Sequence, residues 1–189
     1  YVSDQVLYVA DDISVTKGAG STAEAKAGIY LRDDAQLIQG ASQGTANEGT
    51  GFISVYQDSR SDSYDYNFWS SPVASSDATN NFSIASQIYN PGDSNITAEN
   101  STFTSSWNGA GRSEVGGEIN YNGRPDLVIS TAWLYKFNQI NNNWTPLGSS
   151  GTVAPGYGFT MKGTNVTTGG TYNVDTNNQF YEFRGRANS

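Results

Sequence analysis

The sequence predicts an all-β fold, a β-sandwich of jelly-roll-like type, on three observations. No long stretch of the 189 residues shows the 3.6-residue apolar period of an amphipathic helix. Gly, Pro, Asn, Asp and Ser interrupt the chain about every eight to twelve residues, and short β-branched and aromatic runs lie between them. Aromatic residues make up 13% of a chain that is only 36% hydrophobic, so Tyr and Phe must supply much of the core.

Short segments between these breaks carry the strand pattern. They are Gln5–Ala10, Ile13–Lys17, Gly28–Arg32, Gln36–Gln39, Gly51–Gln57, Tyr64–Trp69, Asn81–Tyr89, Leu127–Phe137, Trp144–Leu147, Tyr157–Lys162, Gly170–Val174 and Gln179–Arg184. Leu134–Ile140 and Trp144–Leu147 form a predicted hairpin, because the intervening Asn141–Asn143 tolerates the left-handed backbone of a turn. The polar stretches Gly40–Gly49 and Asn90–Tyr121 are predicted loops, the second with a short strand around Thr102–Trp107.

An internal repeat lies in the first third of the chain. Leu7–Ile13 reads LYVADDI and returns 22 residues later as IYLRDDA in Ile29–Ala35, with Gly51–Tyr56 as a degenerate third copy. A period of this length suits one rung of a parallel β-solenoid. We therefore expect either two or three solenoid-like rungs before the sandwich or paired hairpins within it. The corresponding domains are 1–60 and 61–189, or one continuous domain.

The charge and the missing residue types exclude several functions. The net charge is −8 with only ten scattered Lys and Arg residues, which excludes nucleic-acid binding and disfavours anionic membrane surfaces. No apolar run reaches the roughly 20 residues of a membrane span. The chain has no Cys and no His, so disulfides, zinc–thiolate sites and Ser-His-Asp triads are excluded. Divalent cations and neutral polymers such as glycans remain as candidate ligands.

An acidic run is the candidate metal site. Asp58, Asp62 and Asp65 lie within eight residues and are separated mainly by serines. Carboxylate oxygens at short spacing are what calcium requires, although the spacing is not that of an EF-hand. The alternative is a solvated loop rich in Asx turns between two strands.

One carboxylate pair has part of the pattern of a glycosidase centre. Glu114 and Glu118 share a strand parity, and glycoside hydrolysis needs two carboxyl groups about 5–10 Å apart. Two glycines between them weaken the strand that would present both groups. We therefore predict no catalytic residues and interpret both side chains as solvated or salt-linked.

Aromatic side chains are the candidate sugar-binding residues. Strict alternation in YDYNFW places Tyr64, Tyr66 and Phe68 on one face of a strand, which we expect to pack on the core. Trp69 then faces the opposite way, and Trp107 lies in the polar phrase TSSWNG. These two tryptophans are the predicted ligand-binding residues, since exposed rings can stack on sugars.

Four phrases together resemble a known group of proteins. They are YDYNFWSSPV at Tyr64–Val73, WLYKF at Trp133–Phe137, PGYGFTMKG at Pro155–Gly163 and YEFRGRAN at Tyr181–Asn188, and IYLRDDAQLIQG at Ile29–Gly40 also fits. In this order they resemble a region of very large secreted surface proteins of Bacteroidetes, especially flavobacteria. The resemblance covers most of the chain, but Ala187 stands where that group has proline.

The resemblance implies a place and an architecture more than an activity. Such proteins are cargo of the type IX secretion system and are commonly interpreted as adhesin-like. We therefore expect a non-enzymatic structural or adhesive domain of a large bacterial cell-surface protein, itself a region of a longer chain. Its expected partners are extracellular matrix, a glycan, a cell surface or further copies of itself. The alternatives are a carbohydrate-binding module assisted by calcium and a subunit of a filament.

Overall fold

Strands dominate the structure, a computed structural model that describes residues 1–16, 27–40, 47–59, 65–75, 81–89, 106–108, 114–119, 125–148, 150–163, 166–168, 171–173 and 179–188. The strands are β1 (Val2–Ser3), β2 (Val6–Val9), β3 (Gly28–Arg32), β4 (Gln36–Gln39), β5 (Phe52–Ser59), β6 (Tyr66–Ser70), β7 (Phe82–Ser83), β8 (Ile88–Tyr89), β9 (Ser106–Asn108), β10 (Glu114–Ile119), β11 (Pro125–Ser130), β12 (Tyr135–Asn138), β13 (Asn143–Pro146), β14 (Thr152–Val153), β15 (Gly158–Lys162), β16 (Val166–Thr168), β17 (Thr171–Asn173) and β18 (Gln179–Gly185). A helical turn, Ile84–Gln87, separates β7 from β8, and a 3-10 turn, Thr131–Trp133, separates β11 from β12. Within these ranges no helix has the length and apolar character needed to cross a membrane.

The all-β prediction is confirmed as a mostly β structure with several sheets. Both Asn81–Tyr89 and Leu127–Phe137 were wrong as continuous strands, because each contains one of the two helical turns. Local side chains stabilise these interruptions. The Gln87 amide oxygen accepts a hydrogen bond from the Ser83 backbone at 2.6 Å, and the Ser130 hydroxyl accepts one from Ala132 at 3.3 Å. The polar phrase SEVGGEI, expected to be loop, contains β10 instead.

The hairpin prediction is confirmed. Strands β12 and β13 pair antiparallel, with Phe137 opposite Trp144. Asn142 in the connection has a φ of 50°, in the left-handed region that Asn adopts at lower cost than most residues.

The largest sheet combines parallel and antiparallel pairing in the order β1-β3-β5-β18-β8. Strands β1, β3 and β5 are parallel, whereas β18 pairs antiparallel with β5 at seven positions. Strands β2 and β4 form a second, parallel pair, and Ser14 bridges Glu48 in parallel. The chain before residue 60 therefore shares a sheet with the end of the chain, and its division into two domains stays a prediction.

The predicted 22-residue repeat has the wrong register. Val2 lies beside Leu31, an offset of 29 residues, and Leu7 lies beside Leu37, an offset of 30. The two LYVADDI-like copies thus occupy different positions, since the first copy forms β2 and the second forms β3. Similar apolar alternation in both segments produced the match, and alternation alone does not determine which strands pair.

Asp4 and Asp33, which lie at neighbouring turns, explain the register in which these strands pair. Asp4 and Asp33 have φ values of 53° and 54°, so the backbone is left-handed at both residues. Each of these residues lies between two successive strands. The Ser3 hydroxyl donates to the Asp33 carboxylate, and the Asp34 backbone donates to the Asp4 carboxylate at 3.4 Å. These cross-links hold equivalent corners one above the other.

The core contains side chains of the large sheet and of a four-stranded antiparallel sheet of order β13-β12-β15-β6. Its aromatic centre includes Phe82, stacked on Phe159 with ring centroids 5.5 Å apart. Other fully buried side chains are Val73, Ile84, Ile88, Ile129, Leu134, Met161, Tyr181 and Phe183. Aromatic rings thus supply much of the core, as the composition predicts.

A buried cluster of charged side chains links strands β3 and β5 to strand β18 in the large sheet. Glu182 is fully buried, and its Oε1 accepts hydrogen bonds from Arg184 Nε at 2.6 Å, from Arg32 Nη2 at 3.3 Å and from the Ser54 hydroxyl. The Arg32 guanidinium also lies 3.5 Å from the centroid of the Tyr56 ring. Burial raises the pKa of Tyr56 to about 12, so its phenol stays neutral beside the cluster.

Candidate functional site

The side of strand β6 that faces the core is the opposite of the side that we expected from the sequence. Phe68 is 72% exposed and Tyr66 is 36% exposed, whereas Asn67 is buried and Trp69 is directed to the core. The expectation that Tyr66 and Phe68 pack on the core was therefore wrong. Tyr64, the third member of that expected face, lies outside the described residues.

Two contacts hold the inward face of β6 in place. The Trp69 ring lies 5.5 Å from the rings of both Tyr181 and Phe183 on β18. Asn67 is buried, and its side-chain oxygen accepts a hydrogen bond from the Ser59 hydroxyl. Burial raises the pKa of the Tyr181 phenol well above its ordinary value. Trp69 is thus partly buried as a packing residue, and its predicted sugar-binding role stays untested.

Pairing in the four-stranded sheet gathers the outward rings into one surface, which we call the aromatic face. Phe68 is opposite Thr160, Thr160 is opposite Tyr135, and Phe137 is opposite Trp144. Residues that share a ladder position lie on the same side of a sheet. The aromatic face comprises Tyr66, Phe68, Trp133, Tyr135, Phe137, Trp144, Thr160 and Lys162.

Edge-to-face contacts order the rings of the aromatic face. The Trp144 centroid lies 6.0 Å from that of Phe68 and 5.3 Å from that of Phe137, with interplanar angles of 61° and 63°. Tyr66 meets Trp133 edge-on at 6.2 Å. Such tilted pairs are attractive because the positive ring edge meets the negative face. They also leave ring surface open to solvent, since Trp144 remains 43% exposed.

A trough of about 250 Å³ crosses the aromatic face. It is lined by Tyr66 and Phe68 on one side, by Tyr135 and Trp144 on the other, and by Thr160 between them. Thr160 lies on β15, which separates β6 from β12 in the sheet. A short side chain on the central strand between longer rings on its neighbours explains the depression.

Electrostatically, the aromatic face carries one described cation above its rings. The Lys162 ammonium lies 4.2 Å from the centroid of Trp133 and 5.2 Å from that of Tyr66. Partial burial, and then the neighbouring Tyr135, raise the pKa of the Tyr66 phenol. The hydroxyl of Tyr66 therefore remains a neutral hydrogen-bonding group at physiological pH.

The described part of the chain contains two of the three predicted calcium ligands. Asp58 is exposed near the end of β5, and Asp65 is exposed just before β6, where its carbonyl accepts from Gly163 at 3.2 Å. Asp62 lies outside the described residues. No group of three acidic residues that could hold a metal occurs among those described. Calcium binding at this run stays a prediction.

Trp107, which was predicted to bind a ligand, and the pair Glu114 and Glu118, which was not predicted to be catalytic, are described only by their backbone. Trp107 lies on β9, beside Ile129 of β11. Glu114 and Glu118 lie on β10, whose pairing with β11 shifts register between Val115 and Ile119. Their side chains lie outside the described part of the structure, so Trp107 as a ligand-binding residue stays a prediction.

Comparison with known proteins does not assign the chain to a group. No model of a protein family matches it, and searches of curated proteins and of solved structures give no significant match. The resemblance to secreted surface proteins of Bacteroidetes therefore stays a prediction.

Proposed function

We propose that this chain is a non-catalytic extracellular domain of a large bacterial cell-surface protein, with a structural and adhesive role. One observation carries the adhesive role: a surface of clustered exposed rings on a four-stranded sheet. Contiguous exposed aromatic surface of this kind is characteristic of binding sites on otherwise polar proteins. The extracellular location rests on the sequence resemblance and is consistent with a chain without Cys.

The absence of catalysis is part of the proposal. Of the carboxylates discussed above, Glu182 is fully buried and engaged by two arginines, and Asp58 and Asp65 are exposed on separate segments. No carboxylate occurs among the described residues that line the trough. Hydrolysis of a glycan would need a pair of carboxyl groups across the substrate. The aromatic face is therefore suited to holding a partner without transforming it.

Retention on cells or matrix tests the adhesive role. We expect the purified chain to be retained on flavobacterial cells or their extracellular matrix, and the double variant Phe68→Ala with Trp144→Ala to lower retention about tenfold or more, because clustered aromatic residues dominate binding surfaces. Tyr8→Ala is the matched control, since Tyr8 is an aromatic residue 64% exposed on β2. Equal retention of the wild type and the double variant would contradict the proposal.

The proposed structural role rests on a specific arrangement of the first five strands. We propose that β1, β3 and β5, with β2 and β4, are rungs of a β-solenoid-like stack that ends at β18. The parallel in-register pairing and the stacked Asp4 and Asp33 corners support this. An open cavity of about 400 Å³ is lined by Leu31, Leu37, Ile53, Val55, Ala187 and other residues. The antiparallel β18 covers the edge of β5 that a further parallel rung would need.

Electron microscopy separates this capped stack from the filament alternative. Copies that stack head to tail need two open ends, and β18 occupies one of them. We therefore expect concentrated protein to show separate particles and no fibres. Regular fibres would contradict the capping role of β18 and would support the filament alternative.

A further inference from the structure

We infer that the trough on the aromatic face binds a neutral polysaccharide, whose sugar rings stack on Phe68 and Trp144. This inference rests on the proposed adhesive role and names the ligand class for the same surface. It depends on the chemistry of the lining residues, on their charge and on the prior ordering of the rings.

The lining residues match both surfaces of a pyranose. A sugar ring presents C–H groups on its flat sides and hydroxyl groups around its rim. Phe68 and Trp144 offer π faces to the C–H groups, and three residues that carry a hydroxyl group, Tyr66, Tyr135 and Thr160, also line the trough. Among the described residues that line this trough, all the apolar side chains are aromatic.

Charge favours a neutral ligand over an anionic one. The net charge of −8 repels polyanions at a distance, and none of the described residues that line the trough is charged. Lys162 lies beside it, but its ammonium is already 4.2 Å from the Trp133 ring. A uronate or sulfate would therefore find one cation nearby among the described residues, against an unfavourable overall field.

The rings are ordered before a ligand arrives. Trp144 is held between Phe68 and Phe137 by contacts at 6.0 and 5.3 Å, and the strands beneath pair without interruption from Tyr66 to Ser70. Binding to rings that are already fixed loses little conformational entropy, so more of the stacking free energy appears as affinity. A linear glycan could lie along the trough with successive sugars on neighbouring rings.

Affinity electrophoresis and calorimetry with defined polysaccharides test the inference. We expect the intact chain to bind at least one neutral polymer among soluble β-glucan, xylan and galactomannan, and to bind polygalacturonate and alginate more weakly. Phe68→Ala and Trp144→Ala should each weaken binding about tenfold or more, in line with the effect of removing one stacking ring. Phe68→Tyr should retain binding, and Tyr8→Ala should behave as wild type. Thermal unfolding of each variant verifies that it is folded.

The other outcomes separate this inference from the proposed function. If no neutral polymer binds but cells are still retained through Phe68 and Trp144, the glycan class is wrong and the adhesive role stands. Preference for the anionic polymers, lost in Lys162→Met, would overturn neutrality. A concentration-dependent dimer that Phe68→Ala abolishes would make a second copy the occupant. Binding that EDTA removes and the aromatic variants leave unchanged would place the site elsewhere, at a metal-dependent position.

Discussion

Glu182→Gln is expected to lower the free energy of unfolding by about 3–5 kcal/mol, because it removes the counter-charge of two buried arginines. Arg32 and Arg184 are 4% and 10% exposed, and both contact the same oxygen, Glu182 Oε1. Glutamine preserves the shape of the side chain but leaves these guanidinium charges uncompensated. The cation–π contact of Arg32 with Tyr56 offsets only part of that loss.

Chemical denaturation of the wild type and the variant measures this effect as a shift of the midpoint. Glu48→Gln is the matched control, because Glu48 is exposed and the same substitution there removes a solvated charge. Its effect should stay within about 0.5 kcal/mol. An equally small change for Glu182→Gln would mean that the cluster contributes no net stability.

Trp69→Ala is expected to lower the free energy of unfolding by about 3 kcal/mol, near the lower bound for large aromatic side chains in a core. Trp69 packs against Tyr181 and Phe183 on the neighbouring sheet, and its removal leaves a cavity between the two sheets. Phe68→Ala, one residue earlier on the same strand, should change stability by about 0.5 kcal/mol or less, because its ring is 72% exposed.

The order of these two values is the informative result. Both variants remove an aromatic ring from β6, so propensity effects are similar and burial differs. If Phe68→Ala were the more destabilising, the strand would face the way that simple alternation predicts, and the aromatic face would be core. Denaturation curves of the two variants in the same buffer decide between these cases.

The candidate site could be predicted only in part from the sequence. Alternation correctly separated Tyr66 and Phe68 from Asn67 and Trp69, but it gave no information on which set faces inward. A signal existed in GFTMK, where Lys162 and Thr160 share one side of β15 and Phe159 and Met161 share the other. The charged residue indicates the outward side. Applying this signal to β6 requires knowing that Tyr66 pairs with Lys162, and the sequence alone does not show that pairing.

The sequence by itself determined the class of structure and the excluded chemistry of this protein. Short aromatic and β-branched runs between turn residues specified strands such as β3 and β4 to the residue, because these preferences act locally. The missing Cys and His removed whole classes of site without reference to the fold.

Tertiary structure decided which strands pair, which faces are buried and where the aromatic face lies. The true register of the first strands depends on the stacking of Asp4 on Asp33, residues far apart along the chain. The aromatic face likewise joins β6, β12, β13 and β15, which lie up to about 100 residues apart. Burial depends on how the sheets pack against each other. Asn67 is therefore buried although it is polar, and Phe68 is exposed although it is apolar.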